Sequence, residues 1–299
     1  MYSQITANKR KTWIMMIIFV LIVSVVAWFV SYYLLGSPYF TVAILAGAIA
    51  YAAFSYFNAA KLATTISKAQ EVTQTQEPRL YKTVENLAIT EGLPTPKVYI
   101  IDDTAPNAFA SGKDPNHSIV VVTRGLLDIM DDAELQGVVA HEMAHIKNYD
   151  IRVMMVAMAL VLVVAMIADI SLRVSFFGGG RSRRSSSSSG EAGGIIMVVG
   201  IIGLIFAPIA AKLIQAAISR KREYLADASG ALTTRYPEGL TSALEKLQNN
   251  GSTMKVQNSA MAHMYISNPL KKGSFTKYFS THPPIEDRIA KLKEMEKSV

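Results

Sequence analysis

Four long and almost uncharged stretches dominate the hydrophobic pattern of this 299-residue chain. They are residues 13–35, 39–57, 153–172 (with Asp169 as its one charge) and 195–211. A helix of about 20 apolar residues crosses the ~30 Å hydrocarbon layer of a bilayer, so we expect four transmembrane helices in two hairpins. The basic residues at 9–11 precede the first stretch and place the N-terminus in the cytoplasm, because positive residues are retained on that side.

Shorter patterns between the second and third stretches predict a small α+β unit. Residues 61–78 are polar and are expected to form a helical stalk, and an amphipathic helix is predicted from Arg79 to Gly92. Lys97–Ile101 and Ser118–Thr123 are rich in Val and Ile and predict β-strands. Asn107–Ser111 lies between them as a short extended candidate.

These patterns divide the chain into four parts. They are an N-terminal transmembrane hairpin at 1–58, a cytoplasmic part at 59–152, a second hairpin at 153–213 and a second cytoplasmic part at 214–299. The expected fold is an α+β membrane protein, mostly α-helical, with four transmembrane helices and a cytoplasmic domain that holds a small β-sheet. We expect a multi-pass protein of the cell membrane with both termini and the active site in the cytoplasm.

The loop of the second hairpin, residues 173–194, conflicts with this topology. It contains several arginines within a Ser- and Gly-rich low-complexity sequence, to which we assign no chemistry. If the third and fourth stretches both cross, these arginines lie outside, against the positive-inside tendency. Either the second hairpin only dips into the membrane, or the N-terminal charges determine the orientation of the whole chain. We expect the second hairpin to cross the membrane.

The composition limits which metal ligands, nucleophiles and binding partners the chain can have. The chain has no cysteine, which excludes disulfides, thiolate ligands and a cysteine nucleophile, so any metal is held by His, Asp or Glu. The formal net charge of +7 would suit nucleic acid, but in a multi-spanning chain excess Lys and Arg more often reflects cytoplasmic retention and anionic lipid. We therefore expect a lipid bilayer as partner and no nucleic acid.

The helix predicted after Asp131 carries the strongest candidate site. Asp131 or Asp132 can cap it, and Glu134 lies three residues after Asp131, as in a capping box. His141 and His145 are four residues apart, so their imidazoles share one helix face and can bind one Zn²⁺. Glu142 lies at the rim of that site, where its carboxylate can serve as general base instead of ligand. The alternative is a pair of histidines on a half-buried helix face.

A third ligand is needed, and Glu223 is well placed by topology. Two apolar stretches separate it from His145, so both residues lie on the same side of the membrane whether those stretches cross or dip. At ~1.5 Å per residue both lie just above the surface. Asp227, one turn further on, could accept a hydrogen bond from the non-ligating nitrogen of His141 or His145. The alternative for Glu223 is a solvated charge on a mixed-charge helix.

Three motifs together resemble the HtpX membrane proteases of bacteria, relatives of the CAAX prenyl proteases among the gluzincin metallopeptidases. They are His141-Glu142-x-x-His145 with Asn148 and Asp150, Arg222-Glu223-x-x-Ala226-Asp227, and Ser280-Thr281-His282-Pro283-Pro284. The resemblance covers essentially the whole chain and implies that the cytoplasmic domain is a zincin-like metalloprotease domain. It implies one zinc at His141, His145 and Glu223, with Glu142 as general base. Asn148 and Asp227 are expected to lie next to the metal ligands without binding the metal.

Two further candidates each have a simpler alternative. The resemblance places His282 near the site, where it could donate a hydrogen bond to the oxyanion of the tetrahedral intermediate, but a surface loop histidine is the alternative. The strand residues Asn107, Ala108, Phe109 and Ala110 could form an edge that pairs with an extended substrate. An ordinary core strand is the alternative for them.

The function expected from these patterns is hydrolysis of peptide bonds by a zinc endopeptidase. The resemblance implies quality control of damaged or misfolded membrane proteins, with membrane-protein or unfolded polypeptide substrates, as in a stress response. Two other hypotheses are a non-catalytic zinc-binding membrane chaperone or scaffold, and a protease that processes prenylated proteins. A structural zinc site usually has four protein ligands, which argues against the scaffold. The sequence leaves the oligomeric state open.

Overall fold

The computed structural model describes residues 2–33, 39–162, 220–251, 253–258, 260–270 and 283–297. Its helices in this part of the chain are α1 (Tyr2–Tyr33), α2 (Tyr39–Phe57), α3 (Ala59–Ser67), α4 (Pro78–Glu91), α5 (Arg124–Ile129), α6 (Asp132–Lys147), α7 (150–162), α8 (Arg220–Thr234), α9 (Pro237–Asn250) and α10 (Ile285–Glu296). The strands are β1 (Gln70–Glu71), β2 (Lys97–Ile101), β3 (Ala108–Gly112) and β4 (Ser118–Thr123). A 3-10 turn, Pro115–His117, precedes β4.

The four strands form one mixed sheet in the order β1-β2-β4-β3. β2 and β4 run parallel, whereas β1 and β3 are antiparallel to their neighbours. In the register of the last pair, Ala108 lies opposite Val122 and Gly112 lies opposite Ser118. β3 is therefore an edge strand. The chain continues from β3 through β4 and α5 into α6.

The sheet separates two apolar cores, because successive side chains of a strand point to opposite faces. One face packs with α4, α6, α9 and α10 through the buried residues Val98, Ile100, Ala108, Ala110, Val120 and Val122. The other face packs with α3 and with methionines of α7 and of the segment 260–264 through Ile101, Phe109, Ile119 and Val121. Since both faces are covered, β3 and β4 are buried along their whole length.

Local patterns determine the ends of the elements that carry the site. The Asp131 side chain accepts from the backbone N–H of Glu134, and the Glu134 side chain accepts from that of Asp131, so the predicted capping box is confirmed. α4 has Pro78 in its first turn, and its last residue, Glu91, is followed by the cap Gly92, whose φ of +66° suits glycine. The predicted strands at Lys97–Ile101 and Ser118–Thr123 are confirmed with their bounds.

The helical stalk predicted for residues 61–78 is wrong in extent. α3 ends at Ser67, because Lys68 adopts a left-handed conformation with φ +56° and its N–H caps the carbonyls of the last turn. The chain then adds the short strand β1 to the sheet, and Pro78 begins α4 instead of ending the stalk.

The predicted transmembrane stretches are described in part. α2 coincides with the second stretch, and α1 contains residues 13–33 of the first. Of the helices in the described ranges, none is long and apolar enough by itself to cross a membrane; one pair, Thr41–Phe57 with Ala59–Ser67, meets the length and composition requirements together but bends by 80°. The third stretch beyond residue 162, the loop at 173–194 and the fourth stretch lie outside the described residues.

A close crossing joins α6 to α9. A Cβ added at Gly137 would lie 2.7 Å from the backbone nitrogen of Leu240 and 2.9 Å from its Cα, so only glycine permits this approach. Gly239 meets the same crossing from the other helix, since a Cβ there would lie 2.6 Å from the carbonyl oxygen of Ala133. The helix of the candidate histidines is thus held against α9 by backbone contact.

Gly137→Ala is therefore expected to destabilise the protein by about 1–3 kcal/mol, because the methyl group must push two backbones apart. Gly47→Ala in α2 is the control, since a Cβ there has nothing within 4 Å and alanine favours the helix. Denaturant unfolding of both full-length variants measures the difference. Equal stability of Gly137→Ala and the wild type would contradict the close packing described here.

Candidate metal centre

Helix α6 presents His141 and His145 to one buried point. Their Nε2 atoms are 3.2 Å apart and the rings meet edge to face. Both side chains are almost completely buried. For two ligands of one tetrahedral zinc at 2.0–2.1 Å, the nitrogen–nitrogen separation is ~3.3 Å, so the pair has the spacing that a metal requires.

Glu223 reaches the same point from α8. Its Oε2 is 3.8 Å from Nε2 of His141, and its Oε1 is 3.7 Å from Nε2 of His145. Ligand atoms of these three residues all lie within 4.8 Å of one another, which is the geometry of a group able to hold a metal ion. The predicted third ligand thus converges with the histidine pair in this structure.

Small residues let α8 approach α6 closely enough for this. A Cβ on Gly230 would lie 3.0 Å from the backbone nitrogen of His141, tighter than ordinary contact. Gly230 is seven residues after Glu223, two helical turns, so both face α6. The close contact at Gly230 sets the depth at which the Glu223 carboxylate meets the imidazoles.

Each imidazole is oriented by a carboxylate on its other nitrogen. Nδ1 of His141 is 2.9 Å from Oδ1 of Asp227, and Nδ1 of His145 is 3.0 Å from Oδ2 of Asp150. These contacts assign the proton to Nδ1 in both rings and leave the Nε2 lone pairs directed at Glu223. Three electron-pair donors that face one another in this way fit a cation between them.

The local charges support the same conclusion. Burial opposes protonation of His145, but the carboxylates of Glu223 and Asp150 outweigh burial and raise the pKa of His145 to about 9. A positive charge is therefore stabilised at this point. A divalent cation satisfies the same carboxylates and, unlike a proton, uses both Nε2 lone pairs as ligands.

Glu142 lies beside the ligands with a different environment. Burial raises the pKa of its carboxyl, and Glu223 raises it further, whereas the two histidines and the backbone N–H of Ala110, which donates to it, oppose the increase. Glu142 is thus a buried carboxyl whose proton affinity is increased, as a group that accepts and returns a proton requires. The hydrogen bond from Ala110 connects it to strand β3.

Arg288 on α10 is a member of the site that sequence reasoning missed. It has no exposed surface and is the largest fully buried side chain among the described residues. Its Nε and Nη2 donate to Asp227 at 2.9 and 2.7 Å. Burial would raise the pKa of Asp227, but Arg288 and His141 hold it far below its ordinary value. Asp227 is therefore kept as the anion that orients His141.

Asp150 was noted in the sequence only as part of a motif, yet it directly holds His145. Asn148, which was expected around the ligands, is buried at the end of α6, where its backbone N–H bonds to Ala144 and its carbonyl accepts from Asn8. His282 lies outside the described residues. His117 is exposed and pairs with Asp114 away from this group.

The segment Asn107–Ala110 lies at the sheet edge, as predicted, but its outer side is covered. The backbone N–H of Ile266 donates to the carbonyl of Ala108 at 2.9 Å. The Asn107 side chain donates to the carbonyl of Ser267 at 2.8 Å and accepts from the Ser267 N–H at 3.2 Å. Phe109 points to the opposite core, where it packs edge to face on Tyr265.

The profile of "Peptidase family M48" matches residues 74–296 of the chain. The "Protease HtpX homolog" of Tropheryma whipplei (strain Twist) is 49% identical over 99% of this chain and 98% of its own length. That of Dictyoglomus thermophilum is 45% identical over 98% of this chain and 94% of its own length.

A crystal structure of S. mikatae Ste24p shares the fold, with a TM-score of 0.51 at 20% sequence identity. The match covers 94% of this chain but 66% of the Ste24p chain. The resemblance to HtpX proteases that the motifs indicated is confirmed, and the chain belongs to peptidase family M48.

Proposed function

We propose that this protein is a zinc-dependent endopeptidase that hydrolyses peptide bonds of misfolded or damaged membrane proteins at the cytoplasmic surface of the cell membrane. The observation that carries the proposal is the convergence of His141, His145 and Glu223 on one buried point beside Glu142. Membership of a peptidase family gives the reaction class. The substrate class and a role in stress response are the part taken from the resemblance.

The metal is proposed from the donor set. Two imidazoles and one carboxylate are the ligands of catalytic zinc sites, which keep a position open, whereas structural sites usually have four protein ligands. Zinc held by these residues would supply a bound water of lowered pKa and would polarise the scissile carbonyl. Asp227 and Asp150 keep both rings in the tautomer that leaves Nε2 for the metal.

Glu142 is the proposed general base. Its carboxylate accepts the proton of the attacking water and returns it to the leaving amine, which its raised proton affinity favours. The N–H of Ala110 fixes the carboxylate from the side of β3. His282 remains the proposed donor to the oxyanion.

The outer edge of β3 is the proposed substrate-binding element. An extended polypeptide that adds to this edge would use the backbone groups of Ala108 and the carbonyl of Ala110, because these residues alternate with the residues bonded to β4. The Ala110 N–H donates to Glu142, so this edge lies next to the site, and the Ala108 carbonyl accepts from Ile266. A bound substrate would therefore displace the Ile266 N–H from the Ala108 carbonyl.

The proposed membrane location is supported by α1 and α2. Both present large apolar side chains to the outside of the protein, and an extended patch of this kind marks a contact with lipid or another protein. The exposed residues are Trp13, Ile14, Ile17, Ile18, Leu21 and Trp28 on α1, and Val42, Ile44, Ile49, Phe54 and Phe57 on α2. The multi-pass topology and cytoplasmic orientation remain part of the proposal.

Substitutions at Glu142 and His145 separate catalysis from metal binding. Glu142→Gln is expected to retain about one zinc per chain but to lose at least 10²-fold in kcat, because an amide cannot accept the water proton. His145→Ala is expected to lose both zinc and activity. Zinc content and cleavage of an unfolded protein such as casein are measured on the full-length proteins in detergent.

Cleavage by Glu142→Gln at the wild-type rate would refute the assignment of the base. A wild-type protein that binds zinc but cleaves no unfolded polypeptide would instead favour the scaffold. A protein that cleaves only prenylated peptides would favour prenyl-protein processing.

Arg288 is expected to stabilise the fold through its bonds to Asp227. Arg288→Met removes the only described cation bonded to Asp227 and leaves a buried carboxylate uncompensated, which is expected to cost about 3–5 kcal/mol of stability. Lys293→Met on the same helix is the control, because its ion pair with Glu245 is exposed to solvent and is expected to contribute little to stability. Denaturant unfolding measures both, and equal losses would contradict the role of Arg288.

A further inference from the structure

Asn8 is a buried polar residue in the N-terminal part of α1, far in sequence from the metal centre. Its side-chain nitrogen donates to the carbonyl of Asn148 and to Oδ1 of Asp150, both at 2.8 Å. Asn8 is 4% exposed and Asp150 is 1% exposed, so these bonds lie in the interior of the protein. The first helix therefore reaches the turn that follows α6.

The second bond determines the orientation of the Asp150 carboxylate. Its Oδ2 accepts from Nδ1 of His145 at 3.0 Å, while Oδ1 accepts from Asn8. The terminal torsion of an aspartate side chain is broad and roughly two-fold, so one bond alone does not fix it. With a partner on each oxygen, the carboxylate has one orientation, and His145 has one ring position.

The same amide also touches the segment that carries the third ligand. Oδ1 of Asn8 is 3.4 Å from Nη1 of Arg222, which directly precedes Glu223. Nε of Arg222 is in turn 3.5 Å from Oδ1 of Asp150. One asparagine thus contacts both ligand-bearing parts of the site, the end of α6 and the start of α8.

A neighbouring contact holds α1 at this place. The ammonium group of Lys9 lies 4.4 Å from the ring centroid of Tyr149, the residue between Asn148 and Asp150. Tyr149 has φ +60°, a conformation that a bulky residue adopts only where its surroundings hold it. The turn at 148–150 is therefore built around the docked helix.

We propose that Asn8 is a positioning residue of the metal centre: through Asp150 it fixes the ring of His145, and α1 thereby becomes part of the active site. The family profile begins at residue 74, so the match to peptidase family M48 assigns nothing to this residue. The inference rests on the metal-centre function proposed above. Asn8 touches no substrate in this assignment, so its loss acts on metal affinity and kcat and leaves KM unchanged.

The test compares full-length wild-type protein with Asn8→Ala in the same detergent. Zinc affinity is measured on metal-stripped protein by competition with a chromophoric chelator, and the Co²⁺-substituted proteins are compared by their d–d absorption. Asn8→Ala is expected to lower zinc affinity about 10-fold, the lower end of the effect of partners outside the ligand set. The Co²⁺ spectrum is expected to change with it.

Thr12→Val is the matched control. Thr12 is buried one turn further along α1 and its hydroxyl donates to the backbone carbonyl of Asn8, so valine perturbs the helix without touching Asp150. Its zinc affinity and Co²⁺ spectrum are expected to equal those of the wild type. An equal loss in Thr12→Val would show a packing effect of α1 and would overturn the proposal.

The Asp150→Asn background provides a second test. If Asn8 acts through Asp150, adding Asn8→Ala there changes zinc affinity by less than about twofold, whereas full additivity overturns the proposal. If Asn8→Ala does not fold, Asn8→Leu has a similar size and shape without the donor and without a new charge, and it is expected to lose affinity likewise. Wild-type protein that binds no zinc would refute the metal centre itself, whereas tight binding by both wild type and Asn8→Ala would refute only the role of Asn8.

Discussion

The structure depends on one electrostatic constraint, the burial of several carboxylates around a single point. Four carboxylates with at most 3% exposure surround the site, those of Glu142, Asp150, Glu223 and Asp227. The buried guanidinium groups of Arg222 and Arg288 balance two of these charges. When both imidazoles are neutral, two negative charges remain, and one divalent cation would balance them. Because isolated buried charge is very costly, this balance links folding of the site to the metal it would hold.

Much of the scaffold around this point could be predicted because local sequence determines it. The capping box at Asp131, the glycine at the end of α4 and the Val-rich strands β2 and β4 each depend on neighbours within a few residues. Glu223 could be predicted as well, since topology limits where a third ligand can come from. The prediction of a helical stalk at 61–78 was wrong because this Thr- and Gln-rich segment has no apolar face to hold a helix. Pairing with the sheet at β1 determines its structure instead.

The supporting residues could not be predicted because their partners are distant in sequence. Arg288 bonds a residue 61 positions away, and Asn8 bonds one 142 positions away. Such pairs follow from the packing of α1, α8 and α10, which no local pattern encodes. One signal was present for Arg288: it shares the buried face of α10 with Leu292, one turn further on. A charge within an apolar stripe is costly unless it is paired, so that position indicated a buried partner.

Hydrogen bonds also connect the proposed substrate edge to the support of the metal ligands. The N–H of Ile266 bonds the Ala108 carbonyl on β3, while the Ile266 carbonyl lies 3.4 Å from Nη1 of Arg288. Arg288 in turn holds Asp227, which orients His141. A polypeptide that took the place of Ile266 on β3, as proposed, would therefore remove a partner of Arg288. The contacts of Arg288 with the oxygens of Asp227 and with the His141 ring, whose Nδ1 is 3.4 Å from Nη2, do not involve Ile266. In that proposal, substrate entry and the orientation of His141 are linked through Ile266, Arg288 and Asp227.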